Sequence, residues 1–226
     1  MRRLAFGTLI LCVAVVAGCG GGGGGGPAAV PTGATMRQLQ PGDQVVYAVT
    51  GTTRAGVSGT VTETVQTDAA GVPKYGGRCM KVVMVYNLTF DGTPWLYSGT
   101  VYAEQAADGT VYEFGSINSD GDYRTLSTVG APVMYPGTLS TGESASYVAH
   151  LADGTTDNTS WAVIGLESVG GRMAYRVHTV TTNGADVSEE TEWLVPDWGC
   201  PVRMQMSFQA SGVRVDLVAT LQSKNF

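Results

Sequence analysis

Charge is scarce in this 226-residue chain, with Asp, Glu, Lys and Arg together only 14% of the residues. Histidine is scarcer still. His150 and His178 are the only two, and neither a His-x-x-x-His nor a Cys-x-x-Cys spacing occurs, so the common metal patterns are missing and neither metal nor cofactor is expected. No Gly-x-Ser-x-Gly elbow is present, which weakens a hydrolase reading, although a triad can be assembled without that motif. No segment keeps a 3.6-residue apolar stripe, the mark of an amphipathic helix. Long apolar runs are absent too. Leu4 to Ala17 falls short of the roughly 20 residues a spanning helix needs, and Gly20 to Gly26 cannot extend it because glycine is a poor helix former.

What the chain does have begins with Arg2 and Arg3, the short apolar run behind them, and Val16-Ala17-Gly18-Cys19 at its end. A basic start, an apolar core and small residues before a cleavage point make a secretory signal. Val-Ala-Gly-Cys resembles the lipobox of bacterial lipoproteins. The resemblance implies that Cys19 receives a diacylglyceryl group, that residues 1–18 are removed, and that the new amino terminus is acylated in turn. Two or more acyl chains anchor stably, at about 0.8 kcal/mol per buried methylene. The expected location is the bacterial cell envelope, lipid-anchored to a membrane, with the mature domain exported from the cytoplasm.

Residues 19–38 are rich in Gly and Pro and lack periodicity, and so read as a flexible tether with an end-to-end distance on the order of 25 Å. The polyglycine run is not a phosphate loop, which needs a preceding strand, a following helix and usually a lysine. Losing Arg2 and Arg3 takes Lys plus Arg from 13 to 11 against 19 acidic residues, a net charge near −8. Such a domain is a poor partner for nucleic acid or anionic lipid.

The mature domain favours strands. Met80, Val82, Met84, Tyr86, Leu88 and Phe90 alternate with polar residues, as do Val202, Met204, Met206 and Phe208, and Val213, Val215, Leu217, Ala219 and Leu221. Ala210-Ser211-Gly212, Asp108-Gly109 and Asp120-Gly121 read as hairpin turns. The chain also matches itself. Leu39-Gln40-Pro41-Gly42-Asp43 with Tyr47 parallels Leu139-Ser140-Thr141-Gly142-Glu143 with Tyr147; Gly76-Gly77-Arg78 with Val83 parallels Gly170-Gly171-Arg172 with Val177; and Tyr102, Val111 and Gly121 parallel Trp193, Val202 and Gly212. The offset only shrinks, first near Ala69 to Tyr75, as loop insertions in a duplicated unit would cause. The expected fold is all-β: about twelve antiparallel strands in two repeated six-stranded halves, 39–130 and 131–226. They form either a curved sheet or open barrel, or a β-sandwich, with one small sandwich or barrel per repeat as a further arrangement. The curved form resembles the open barrels of periplasmic lipoprotein carriers, whose mouth-spanning helices have no counterpart here.

Candidate chemistry is sparse. Asn118, Asp120 and Asp122 alternate like calcium ligands but lack the loop's glycine and terminal glutamate, and read as a polar turn. Glu189, Glu190 and Glu192 read as a solvated strand face. Trp95, Trp161, Trp193, Trp198, Tyr97, Tyr102 and Tyr112 suit core packing more than a groove. Once Cys12 leaves with the signal and Cys19 is lipidated, Cys79 and Cys200 remain, either bridged as a disulfide or buried as free thiols. The expected protein is no enzyme. It is a membrane-anchored lipoprotein with a non-catalytic binding or structural role and an interior packed against itself, its partners the membrane and an envelope protein, a glycan or an apolar ligand. The competing expectations are a carrier holding a lipid between the repeats and a secreted hydrolase.

Overall fold

The computed structural model describes residues 33–51, 56–118, 123–125, 127–129, 132–150, 154–210 and 213–226. Among them every regular element is a strand: β1 (Ala34–Thr35), β2 (Gln44–Gly51), β3 (Val57–Thr67), β4 (Arg78–Phe90), β5 (Thr93–Gln105), β6 (Val111–Asn118), β7 (Tyr123–Thr125), β8 (Ser127–Val129), β9 (Val133–Tyr135), β10 (Thr138–Leu139), β11 (Ser144–His150), β12 (Thr156–Val169), β13 (Arg172–Asn183), β14 (Asp186–Val195), β15 (Cys200–Ala210) and β16 (Val213–Lys224). Five of the sixteen are pieces of two or three residues, β1 and β7 to β10, which leaves eleven longer strands.

Fourteen strands form one antiparallel sheet in the order β7-β6-β5-β4-β3-β2-β16-β15-β14-β13-β12-β11-β8, with β9 beside β6; β1 pairs separately with β10. The sheet curls into a nearly closed barrel. Pairings between long strands join neighbours along the chain, except at the seam where β16 meets β2, from Leu217 opposite Gly51 to Lys224 opposite Val45. That seam makes the two halves one sheet, which excludes a separate sandwich or barrel for each half.

Alternation dictates which side chains face inward. Met80, Val82, Met84, Tyr86 and Leu88 of β4 are buried with Phe90 packed beside them, and Met204, Met206, Phe208, Leu217 and Ala219 complete the same core. Val202 departs from the pattern read for β15. A register shift at Trp193/Leu194 turns it toward a small cluster of Ala174, Trp193 and Val195.

The end of the barrel that carries the 41–43, 106–110 and 140–143 turns is filled by protein. Met36, Tyr135 and Leu139 pack on Trp161, Val163, Tyr175, Val177 and Leu194, and Leu39 joins the main core. Gln105, buried on β5, holds this floor: its Oε1 accepts from Leu39 N at 2.7 Å and its Nε2 donates to Arg37 O at 3.4 Å.

Two turns make matching hydrogen bonds. Gly42 N donates to Val65 O, Asp43 N to Gln40 O and Val65 N to Asp43 O; Gly142 N donates to Val163 O, Glu143 N to Ser140 O and Val163 N to Glu143 O. In each the acidic side chain accepts from the backbone three residues back, Gln40 N at 2.7 Å and Ser140 N at 3.2 Å. Each also needs its glycine, because φ is +96° at Gly42 and +88° at Gly142, where a Cβ is strained.

Residues 68–77 between β3 and β4 replace the two-residue Gly170-Gly171 turn between β12 and β13. This loop lies on the outer face, tied to Glu104, which is fully buried. The Glu104 carboxylate accepts from Lys74 N at 2.7 Å, Tyr75 N at 3.0 Å and Gly77 N at 2.6 Å. Tyr75 then stacks on Tyr112 with ring centroids 3.8 Å apart.

Candidate functional site

The concave face holds an unusual set of polar groups at mid-height. Glu63 points inward from β3 because it shares a face with Val61 and Val65, opposite Val45 on one side and Met84 on the other. Glu190 and Glu192 point inward from β14, opposite Met206 and Met204. β3 and β14 are separated in the sheet by β2, β16 and β15. Curvature brings their carboxyls within electrostatic reach across the interior. Tyr47 of β2, Tyr135 of β9 and Cys200 of β15 complete the cluster.

Glu63 is 1% exposed and Glu192 3% exposed, while Glu190 is half-buried. Tyr135 Oη donates to Glu192 Oε2. Both Oε atoms of Glu63, Oε1 of Glu190, Oε1 of Glu192 and Tyr47 Oη are shielded from solvent without a geometric hydrogen-bond partner; the weak thiol of Cys200 lies beside Tyr47. Native structures rarely leave such groups unsatisfied, since each costs about 1–3 kcal/mol.

Burial dominates the electrostatics. It raises Glu63 well above the usual carboxyl range, with Glu192 adding to the effect, and raises Glu190 likewise, helped by Glu192 and then Glu63. Glu192 is pushed up to about 8 by burial, with the Tyr135 hydrogen bond opposing. Burial also pushes the Cys200 thiol up to about 12, with Glu63 next in effect and Lys224 and Arg37 opposing. Near pH 7 Glu192 therefore holds its proton and Cys200 stays a thiol. A thiol in that state is a poor nucleophile, whereas the carboxyls can bind a cation or exchange protons.

The nearby cations are partly engaged. Arg37 Nη2 contacts Asp43 Oδ1 at 3.2 Å and its guanidinium lies 4.0 Å from the Phe226 ring centroid, leaving Nη1 buried without a partner. Lys224 Nζ lies 5.0 Å from the Trp198 ring and 4.5 Å from the Phe226 ring. Toward the opposite end of the barrel, Trp95 and Tyr97 are half-buried and stack 5.1 Å apart at an interplanar angle of 7°, with Phe90 edge-on to Trp95.

The acidic triplet of β14 corrects the reading of a solvated face. Glu189 is exposed, but Glu190 and Glu192 sit two residues apart and so turn together into the barrel. The Cys79–Cys200 bridge is not made, and both thiols are free and buried. The reason is the pleat: Cys79 stands opposite Glu104 under the outer loop, while its neighbour Met80 faces the core; Cys200 belongs to that inner core.

Trp161 and Trp193 are buried, and Trp193 Nε1 donates to Glu167 Oε1 at 2.9 Å. Tyr102, Tyr112 and Trp198 are half-buried. His178 Nδ1 lies 3.1 Å from Thr191 Oγ1, and the exposed His150 lies 3.3 Å from Thr156 Oγ1, neither beside the interior carboxyls. The Asp108-Gly109 turn is present, with Gly109 N donating to Ala106 O at 3.0 Å. Cys19, Asp120-Gly121, Asp122 and Ser211-Gly212 lie outside the described residues, and the Asn118 side chain is not described. Among the described residues no helix is long and apolar enough to cross a membrane, and no three His, Cys, Asp or Glu side chains are grouped so as to hold a metal ion.

Glu63 and Glu104 carry no sequence signature that sets them apart from surface glutamates. The available signal was the spacing of Glu190 and Glu192, which places two carboxyls on whichever face of β14 turns inward.

No family model matches the chain, and no curated protein matches it. A solved structure of a candidate lipoprotein from Parabacteroides distasonis is similar, with 13% identity, a TM-score of 0.43, and coverage of 85% of this chain and 99% of the other.

Proposed function

We propose that this chain is an exported lipoprotein of the bacterial envelope, anchored through Cys19, whose barrel is a non-catalytic binding module holding a small polar ligand at mid-height. The observation that carries the binding role is the presence of unpartnered, buried carboxyl oxygens from Glu63, Glu190 and Glu192 on the inner face. A purely structural interior has no use for them, because apolar residues of similar volume stabilise as well or better. The thiol of Cys200 is protonated and the histidines stand elsewhere, which favours binding over catalysis. Met36, Tyr135 and Leu139 cover the inward face of β12 to β14 and occupy space that a lipid chain would need, so the reading is a small ligand rather than a lipid cargo. The anchor rests on Arg2, Arg3 and Val16-Ala17-Gly18-Cys19. The matching turns at Gly42 and Gly142 support descent of the two halves from one duplicated unit.

Two measurements test this reading. Fractionation and intact mass of the protein expressed in a bacterial host are expected to show a membrane-bound, acylated species that Cys19→Ser abolishes; soluble protein without an acyl increment would remove the anchor. Native mass spectrometry of the purified protein is expected to show a small non-covalent adduct that a Glu63→Gln/Glu192→Gln double variant loses. An adduct-free spectrum, with ordered water on every interior oxygen in a crystal structure, would leave the structural role.

A further inference from the structure

The excess of 19 acidic residues over 11 Lys plus Arg in the mature chain conceals an uneven distribution. Along the filled end of the barrel runs a strip in which cations and rings alternate. The Arg172 guanidinium lies 4.6 Å from the Trp198 ring centroid, Lys224 Nζ 5.0 Å from Trp198 and 4.5 Å from Phe226, and the Arg37 guanidinium 4.0 Å from Phe226. Met173, next to Arg172, is 54% exposed. Arg172 is exposed as well, and Trp198, Lys224 and Phe226 are half-buried. A cation lying on a ring face keeps N–H donors to spare, so Arg172 and Lys224 can still meet an anion from outside.

The acids are placed differently. In the strip Asp43 is taken up by Arg37 and Asp197 precedes Trp198, so three cations stand against two acids. In the neighbouring turns Lys74 and Arg78 stand with Asp68, Asp108 and Glu143, which brings the filled end as a whole to balance. The opposite end carries Asp91, Asp157, Asp186, Glu189 and Asp216, with Arg214 paired to Asp216. An anionic surface therefore repels that end and tolerates the filled one.

The polypeptide also enters at this strip. Gly33 is four positions before Arg37 and 14 positions after Cys19. As the glycine-rich coil read from the sequence, those 14 residues span about 20 Å, whereas β13, 12 residues long, runs roughly 40 Å from the filled end toward the other. An anchor at Cys19 holds the filled end next to the bilayer. It also makes the contact intramolecular, at an effective concentration on the order of millimolar, so a surface too weak to hold lipid by itself is still occupied.

We infer that the filled end rests on the membrane that holds Cys19, Arg172 and Lys224 donating to the phosphates of anionic phospholipids while Met173, Trp198 and Phe226 sit at headgroup level. The inference depends on the anchored reading above. Aromatic rings and long cationic side chains settle at a membrane–water interface because each has an apolar body and a polar tip. The acidic end is turned away from the lipid.

The test uses the full acylated chain in vesicles of phosphatidylcholine, with and without phosphatidylglycerol. An environment-sensitive fluorophore is placed on Met173→Cys or, at the opposite end, on Val187→Cys; the native Cys79 and Cys200 are buried. Lipids spin-labelled near the headgroup are expected to quench the Met173→Cys probe at least twofold more than the Val187→Cys probe. The difference should be largest with phosphatidylglycerol and should shrink in high salt, which screens the contact, and in Arg172→Glu, whose fold is checked by thermal melting. Vesicle-bound protein in which the Met173→Cys probe is quenched no more than the other overturns the contact and leaves the anchor standing. Quenching that is the same in both kinds of vesicle and indifferent to salt and to Arg172→Glu also overturns it, because the basic strip then plays no part. A chain that carries no acyl group and does not float with vesicles removes anchor and contact together.

Discussion

Replacing Glu192 by Gln should stabilise the domain above neutral pH and leave it nearly unchanged in mild acid. Glu192 is 3% exposed, and its carboxyl titrates at about 8 in the folded chain against an ordinary value of 4.5. Below pH 4.5 the group is protonated in folded and unfolded chains alike and costs nothing. Between the two values the folded chain binds a proton that the unfolded chain does not. Stability therefore falls as pH rises, by about 1.4 kcal/mol per pH unit for one such group, and levels off above the folded value. Across this window the loss is on the order of 3–5 kcal/mol. Glutamine keeps an oxygen to accept from Tyr135 and carries no charge, so Glu192→Gln removes this part of the slope. For a domain of about 190 residues, 1 kcal/mol moves Tm by about 2–4 °C, which makes the expected gain at pH 8 on the order of 10 °C. Thermal melts followed by circular dichroism at half-unit steps from pH 5 to pH 9 measure it, with urea titrations at the extremes. A wild-type profile flat from pH 5 to pH 8, or a variant with the wild-type slope, would refute the assignment of a buried, proton-holding carboxyl.

Cys200, pushed up to about 12, should resist iodoacetamide at pH 8 in the folded protein, and Cys79 should become fully reactive with it only after denaturation; non-reducing peptide maps should show no peptide linking the two. Glu104→Ala removes the acceptor for three backbone donors of the 68–77 loop. At about 1.5–3 kcal/mol for a hydrogen bond to a charged group, the expected result is a stability loss of roughly 2–4 kcal/mol and limited proteolysis between residues 68 and 77, read by mass spectrometry; an uncut loop would mean that the Tyr75 stack alone holds it.

The strands were legible because their signal is local. Met80 to Phe90 alternate in the sequence as they do in space, and the Gly42 and Gly142 turns announce themselves by residues four or five apart. The one misplaced member of a stripe, Val202, fell to a bulge that depends on the neighbouring strand. The carboxyl cluster was illegible for a different reason. An isolated ionised glutamate is expensive to bury, so Glu190 and Glu192 read as surface, and Glu63 drew no notice 127 positions away. Only the curl of the sheet, which sets β3 against β14, brings them into one electrostatic unit. Cys79 and Cys200 fail to pair for a similarly non-local reason, one lying outside the sheet and the other inside.

The seam between β2 and β16 has a consequence for how the domain comes to exist. Every other pairing between long strands joins neighbours along the chain, so each half can assemble hairpin by hairpin with little loop-closure cost. The seam joins positions more than 160 residues apart, and until it forms β2 is a bare edge able to template aggregation. Asn225 fastens it: its Oδ1 accepts from Gln44 N at 2.8 Å and its Nδ2 donates to Gly42 O at 3.0 Å. A ribosome or translocon must therefore deliver nearly the whole polypeptide before the ring can zip shut, and the nascent chain spends that interval as two unfinished arcs.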